Sequence, residues 1–205
     1  MSFYDHYILP VLLDFAMRQK TIRRQRAKIV PQASGRVLEV GIGSGLNLEF
    51  YDPGKVSEVL GLDPSAEMKS RARKRVAASR VPVSFVGLSG EEIPLETASV
   101  DTVLFTYTLC TIPKPLAALD EMRRVLKPGG QLLFCEHGKA PDHDVFETQQ
   151  RIEPTWSKWT GGCHLTRDVP DLLTQGGFAI RKLDTMYLPG PRFGTFNYWG
   201  SAQMR

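Results

Sequence analysis

The run Val37-Leu38-Glu39-Val40-Gly41-Ile42-Gly43-Ser44-Gly45 constrains the fold more than any other stretch of the chain. Residues suited to a buried strand empty into three glycines that alternate with single residues. Glycine belongs where a backbone must turn sharply and approach a ligand with no Cβ in the way. A second apolar run, Val59-Leu60-Gly61-Leu62, ends in Asp63, twenty-two positions after Gly41. An acid about twenty residues beyond such a loop, closing the second strand of a doubly wound sheet, is placed to hold ribose hydroxyls. The pattern predicts a site for a nucleoside-containing cofactor.

Two details select the cofactor. The glycines run G-x-G-x-G, one residue tighter than the dinucleotide fingerprint. Glu39 stands two residues before Gly41. A carboxylate there repels a pyrophosphate but suits the ammonium and sulfonium of S-adenosylmethionine. The tight glycine spacing and Glu39 likewise disfavour a nicotinamide-dependent reductase.

A chain of 205 residues can bury one full core, and we read residues 1–205 as a single domain. With 42% hydrophobic and 23% charged residues it has the make-up of a soluble globular protein. No stretch approaches the roughly 20 apolar residues of a membrane span, and no signal-peptide pattern is evident. Cys110, Cys135 and Cys163 lack metal-ligand spacing and are too few for a disulfide framework, so we expect no metal and a reducing, cytoplasmic setting. The net charge of +4 is modest, its basic residues clustering in Arg18 to Lys28 and Lys69 to Arg75. These read as solvated helix faces, with weak attraction to an anionic membrane surface as the alternative. With no aromatic residues among them, nucleic-acid binding has little support.

Strands alternate with helices along the chain. Helical spacing runs from Tyr7 to about Val30, closed by Pro31 and Gly35. Ser65 is a plausible N-cap for a helix to about Ser79. Strands are expected at Val81–Val86, Asp101–Thr106 and Gln131–Glu136, with a helix from Pro115 to Lys127 that Pro128-Gly129-Gly130 stops. Gly138 to Cys163 has an irregular pattern. A helix from Arg167 to Gln175 and strands Phe178–Asp184 and Phe193–Ala202 close the sequence. The expected architecture is a doubly wound, mostly parallel, seven-stranded α/β sheet with helices on both faces and ligand at the carboxyl ends of the strands.

Leu38-Glu39-Val40-Gly41-x-Gly43-x-Gly45, Gly61-Leu62-Asp63-Pro64-Ser65 and Glu121 to Gly130 resemble the successive motifs of class I S-adenosylmethionine-dependent methyltransferases, a resemblance covering roughly residues 36 to 136. Leu109-Cys110, Cys135-Glu136-His137, Glu153-Pro154-Thr155-Trp156 and Gly162-Cys163-His164-Leu165-Thr166-Arg167 are similar to a narrower group. That group is the methyltransferase-like-seven or alkyl thiol methyltransferases, with bacterial relatives labelled phospholipid methyltransferase-like.

The resemblance implies a role for each matching residue. Gly41, Gly43 and Gly45 let the backbone approach the methionine part and ribose. Glu39 lies near the ammonium, and Asp63 accepts from both ribose hydroxyls. Pro64 and Ser65 flank the adenine. The family's adenine-binding acid falls in Leu88-Ser89-Gly90-Glu91, where Ser89 stands in its place and Gly90 and Glu91 offer backbone. Thr106 to Leu109 lie beneath the sulfonium. Phe3-Tyr4-Asp5-His6-Tyr7 forms a lid over the cofactor, with Tyr7 facing the cofactor and Tyr4 the acceptor. Residues 1–30 thus make the lid and lead-in helix, 36–136 the cofactor-binding core, and 138–205 the acceptor side.

Methyl transfer is a displacement at an already activated carbon, so positioning dominates and a base is needed only if the acceptor loses a proton. A thiol, with an ordinary pKa of about 8.5, is only a few per cent thiolate at neutral pH. His137, at the carboxyl end of the fifth strand, is the candidate base. Trp156 and His164 are candidate acceptor contacts. Trp156 and Trp159 suit an apolar pocket that excludes water. The sequence therefore points to methylation of a small or lipophilic acceptor, thiol ahead of phosphatidylethanolamine. A protein that binds S-adenosylmethionine without catalysis is the competing reading.

Overall fold

The computed structural model describes residues 4–87 and 89–205, without the Asp5 side chain. Phe3, Leu88 and the side chain of Asp5, all named above, therefore lie outside the described part.

Seven strands make one sheet: β1 Gly35–Val40, β2 Val56–Leu62, β3 Val83–Gly87, β4 Val100–Thr106, β5 Leu126–His137, β6 Phe178–Tyr187 and β7 Phe196–Met204. Their order is β3-β2-β1-β4-β5-β7-β6. The first five pair in parallel, and β7 runs antiparallel to both β5 and β6. Because side chains alternate across a strand, β1 divides its residues between two cores. Leu38 and Val40 face one cluster with Phe105, Phe134 and Met122, while Val37 faces the other with Ile29, Tyr51 and Leu104. Both faces are covered, as a parallel sheet requires. Connections reverse direction between β1 and β4, so a crevice opens at the carboxyl ends of these two strands.

The helices are α1 Leu9–Met17, α2 Lys20–Ile29, α3 Ala66–Ala77, α4 Pro115–Val125, α5 His143–Trp159, α6 Val169–Gln175 and the short α7 Arg192–Thr195. Ser65 caps α3 as expected, its hydroxyl accepting from the Met68 N–H at 3.1 Å. The lead-in is not one helix. A π-helical turn, Tyr4–Ile8, precedes α1, and extended backbone at Gln19 (φ −58°, ψ 145°) separates α1 from α2. This break lets α1 leave the sheet and cross the crevice while α2 packs beneath it.

The largest departure lies in Gly138 to Cys163, expected to be irregular. It carries the 17-residue α5, with Pro154 inside it. Proline removes one intrahelical hydrogen bond and weakens a helix interior, but side-chain ties hold this one. Gln149, fully buried, donates to the carbonyls of Gly138 (3.0 Å) and Phe193 (2.9 Å) and accepts from the Ala140 N–H (2.9 Å). It thereby locks α5 to the exit of β5. The Pro128-Gly129-Gly130 stop lies within β5, at a register shift between Val100 and Thr102 of its neighbour. β6 starts at Phe178 as expected and runs on to Tyr187, whereas β7 starts and ends slightly later than expected, with α7 inserted before it.

Replacing Gln149 by Ala should therefore leave three buried backbone groups unpaired and lower stability by about 1–3 kcal/mol in urea unfolding. A change near zero would mean that α5 is held by its apolar face alone.

Candidate active site

A cavity of about 1050 Å³ sits at the carboxyl ends of β1, β2, β4 and β5, roofed by α1 and bounded by α5. Gly41, Gly43, Asp63, Pro64, Ser65, Ser89, Gly90, Glu91, Thr106, His137 and Trp156 all line it. Eleven of the seventeen expected residues thus surround a single space that the fold assembles from six separate segments. Glu39, Gly45, Leu109, Tyr4, Tyr7 and His164 are not on its wall.

The glycine loop is shaped as its sequence demands. Gly41 has φ +73° and Gly43 φ +54°, both in the left-handed region that L side chains avoid. At Gly41 an added Cβ would meet the Thr108 side chain at 2.2 Å, whereas at Gly43 the nearest atom is Met68 Cε at 3.4 Å. Gly43 leaves backbone open toward the cavity. Gly45 instead packs against Leu48 and α3, which is why it leaves the cavity wall. Asp63 ties the loop to the second strand: Oδ2 accepts from Gly43 N (2.9 Å) and Oδ1 from Ser65 N (2.8 Å). Burial raises the Asp63 pKa above the ordinary value, opposed by these two N–H donors.

Glu39 lies behind the cavity wall. Its side chain points to the α2 side of the sheet, fully buried, where Oε1 accepts from Asn47 Nδ2 (2.8 Å) and Oε2 from the Tyr51 hydroxyl (2.7 Å). Neither Asn47 nor Tyr51 is on the cavity wall, but Asn47 accepts from Arg26, which is. Arg26 is buried on α2 although its basic run reads as a solvated face. Its Nη1 donates to Asn47 Oδ1 (2.8 Å) and to Thr106 Oγ1, and its guanidinium lies 5.4 Å from the Tyr107 ring centre. Its Nε is buried without an acceptor among the described residues. Arg26 and Tyr107 both line the cavity. Tyr107 itself adopts φ +53°, a rare conformation for a bulky residue. Sequence reasoning missed Arg26, Asn47 and Tyr51, while Tyr107 falls in the Thr106–Leu109 stretch that it placed beside the cofactor. The only signal for Arg26 is that it falls on the same helical face as Ile22 and Ile29.

Toward α5 the wall changes character. Cys163 Sγ lies 3.1 Å from His137 Nε2 and accepts from Trp156 Nε1 at 3.3 Å. Cys110 joins them, the three ligand-type atoms lying within 4.8 Å of one another. The expectation of no metal rested on the linear spacing of the cysteines, which gives no sign of this grouping in the fold. Hydrogen bonding from Cys110, then the neighbouring His137, hold the Cys163 thiol well below its ordinary pKa against the opposing effect of burial. Burial pulls His137 down, but the Cys163 sulfur and Glu136 outweigh it and the pKa rises.

His164 is turned away, paired with Glu153 at 2.8 Å. The fully buried Leu109 serves through its backbone, donating to Glu136 Oε1 (3.0 Å). Tyr4 donates to the Trp159 carbonyl (2.7 Å) with the two rings edge to face, and His6 meets Glu67 at 2.7 Å. The segment expected as a lid thus bridges α3 and α5 across the cavity, with Tyr7 67% exposed on the outside.

Residues 38–134 match the family model described as Methyltransferase domain. Human thiol S-methyltransferase TMT1B is 37% identical over 191 residues, covering 88% of this chain and 78% of the human protein. Phosphatidylethanolamine N-methyltransferase of Cereibacter sphaeroides is 34% identical, covering 69% of this chain and 71% of that protein. Across four thiol S-methyltransferase relatives the match spans 62% to 78% of their length. The solved structure of a SAM-dependent methyltransferase from Methanosarcina mazei superposes with a TM-score of 0.65 at 21% identity, over 82% of this chain and 92% of that one.

Burial pushes Glu39 up to about 7, against the opposing hydrogen bonds of Tyr51 and Asn47. A raised carboxyl favours the folded state in its protonated form. Its contribution is complete below the ordinary 4.5 and is lost as pH rises toward about 7. The stability of the ligand-free protein relative to a Glu39→Gln variant should therefore fall by roughly 1 kcal/mol per pH unit from about pH 5 to pH 7, then level off. Parallel urea unfolding curves across that range check it, and a flat difference would place the charge elsewhere.

Proposed function

The chain belongs to the class I S-adenosylmethionine-dependent methyltransferases, in the group that includes human thiol S-methyltransferase TMT1B, and from that premise we propose that it methylates the sulfur of a small or lipophilic thiol. One observation carries the reading. A single cavity joins the glycine loop and Asp63 to an apolar end bounded by Leu13, Trp156 and the Cys163–His137 pair. The relatives' printed activity supports thiol over amine, with the phosphatidylethanolamine enzyme supporting the alternative.

The cavity residues fit the cofactor. S-adenosylmethionine supplies, when bound, a methyl carbon activated by a sulfonium charge. Asp63 keeps free lone pairs for ribose hydroxyls beside its two backbone bonds. The unpaired Arg26 Nε suits the cofactor's carboxylate, a charge-assisted contact that would complete a buried donor set. Glu39 acts behind it, holding Asn47 and so Arg26 in place and balancing the guanidinium charge. Pro64, Ser65, Ser89, Gly90 and Glu91 form the adenine side, where Ser89 Oγ accepts from Glu91 N (3.1 Å). His137 and Trp156 face the acceptor, and the apolar residues of α1 exclude water from the reacting atoms.

Among the described residues no helix is long and apolar enough to cross a membrane. A lipophilic acceptor is compatible with peripheral contact through α1, whose outer face exposes Val11 and Phe15 (45% and 72%) ahead of the basic α2. Replacing both with Glu should weaken co-sedimentation with vesicles containing phosphatidylserine several-fold while leaving S-adenosylmethionine affinity intact. Equal sedimentation of both proteins would remove this face as a membrane contact.

The deciding test pairs binding with product. Asp63→Asn should lower S-adenosylmethionine affinity by about 10- to 100-fold in calorimetry, as expected for a lost charged acceptor. The wild-type protein, given alkyl thiols, sulfide and phosphatidylethanolamine vesicles, should form thioethers by mass. N-methylated lipid as the sole product would overturn the thiol acceptor. Unchanged affinity in folded Asp63→Asn would overturn the ribose contact.

A further inference from the structure

We propose that Cys110, His137 and Cys163 form a zinc site whose fourth ligand is the sulfur of the methyl acceptor. This rests on the thiol reading above and deepens it. The three residues come from different segments: the loop after β4, the end of β5, and the turn after α5. Two backbone features bring them together. Gly161 (φ +68°) and Gly162 (φ +85°) reverse the chain after α5, and the His164 N–H then donates to the Cys110 carbonyl at 3.0 Å. That bond sets Cys163 beside Cys110.

The donor set is the one zinc prefers. Two thiolates and one imidazole, with a fourth position left open, are the pattern of a catalytic rather than a structural site. Zinc–sulfur bonds of about 2.3 Å and zinc–nitrogen bonds of about 2.0–2.1 Å put tetrahedral ligand atoms about 3.5–3.8 Å apart. Here Cys163 Sγ and His137 Nε2 are 3.1 Å apart and all three atoms lie within 4.8 Å. Side-chain shifts of no more than about 1 Å bring them to these separations. All three side chains line the cavity, so the open position faces the acceptor.

The surroundings agree. Trp156 Nε1 donates to Cys163 Sγ, the outer contact expected of a ligating thiolate. Glu136 is fully buried, and its Oε2 finds no hydrogen-bond partner among the described residues. Arg167 Nη1 donates to the carbonyl of Leu109, the residue before Cys110.

The chemistry closes. The acceptor thiol binds zinc as its S–H proton passes to solvent, so sulfur arrives as a thiolate at neutral pH. The zinc-bound sulfur then uses a lone pair to form a bond to the methyl carbon while the sulfonium carbon–sulfur bond breaks. The product thioether is neutral, a weak zinc ligand, and leaves. Zinc changes no oxidation state.

The test uses the purified, reduced protein, stripped with a chelator and titrated with zinc and with cobalt(II). We expect one zinc per chain by elemental analysis, and cobalt spectra with sulfur-to-metal charge-transfer bands. Cys110→Ser, Cys163→Ser and His137→Ala should each reduce stoichiometric binding to none. Cys135→Ser, which changes a buried thiol outside the cluster, should retain it, and circular dichroism checks the fold of each. The stripped enzyme should keep its S-adenosylmethionine affinity, lose thiol methylation, and regain it at one equivalent of zinc. Substoichiometric zinc, binding indifferent to these variants, a Cys110–Cys163 disulfide in place of metal, or full activity in the stripped enzyme would overturn the proposal. None of these outcomes touches the methyltransferase reading, which fails separately if the protein does not bind S-adenosylmethionine.

Discussion

A carboxylate and a guanidinium buried on the same face of the sheet set the terms for the rest of this molecule. Neither Glu39 nor Arg26 can sit in a low-dielectric interior alone, since an isolated buried ion costs several kcal/mol. Asn47 and Thr106 link them, Tyr51 saturates the carboxylate, and the group joins β1, β4, α2 and the segment after the glycine loop. This explains why α2 must lie tight against the sheet and why α1, separated from it by the break at Gln19, is left to cross the crevice. It also leaves the guanidinium Nε without an acceptor among the described residues.

Where function depends on local backbone, the sequence was readable. The glycine loop, the acid after β2 and the Ser65 cap each have a local cause: a forbidden φ, a strand end, a hydroxyl three residues before an unpaired N–H. The parallel core followed from the alternation of strands and helices. What stayed hidden depends on long-range meeting. Arg26 sits in a basic run whose charges suggest solvent, and only the pairing of α2 with β1 turns it inward. Cys110, His137 and Cys163 are scattered over more than fifty positions, with no spacing that could announce their meeting. In α5, Pro154 looks like a breaker and the buried face is sparse, so the helix is held by Gln149, a polar residue that periodicity does not count.

The two ends of the cavity follow different physical rules. The end at the glycine loop is made of backbone, carboxylate, amide and guanidinium, groups that engage hydroxyls and charges by hydrogen bonding. The end toward α5 has sulfur, imidazole and indole, which are polarisable and weakly hydrated. Such a division matches a reaction in which one partner must be gripped firmly and the other must approach with its lone pair bare.

The placement of β7 has a consequence for how the chain reaches this form. The outer edge of β5, a central strand ending at the acceptor site, is covered by β7 alone, which begins about sixty residues further along. Until β7 arrives, β5 presents an open row of backbone donors and acceptors to any passing strand. Its slot admits little else, for a Cβ at Gly200 would fall 1.9 Å from the Lys182 carbonyl oxygen. During synthesis the cofactor half can close early, whereas the acceptor half waits on a late insertion between two strands. That interval is when a nascent chain of this kind is most exposed to aggregation and most dependent on chaperones.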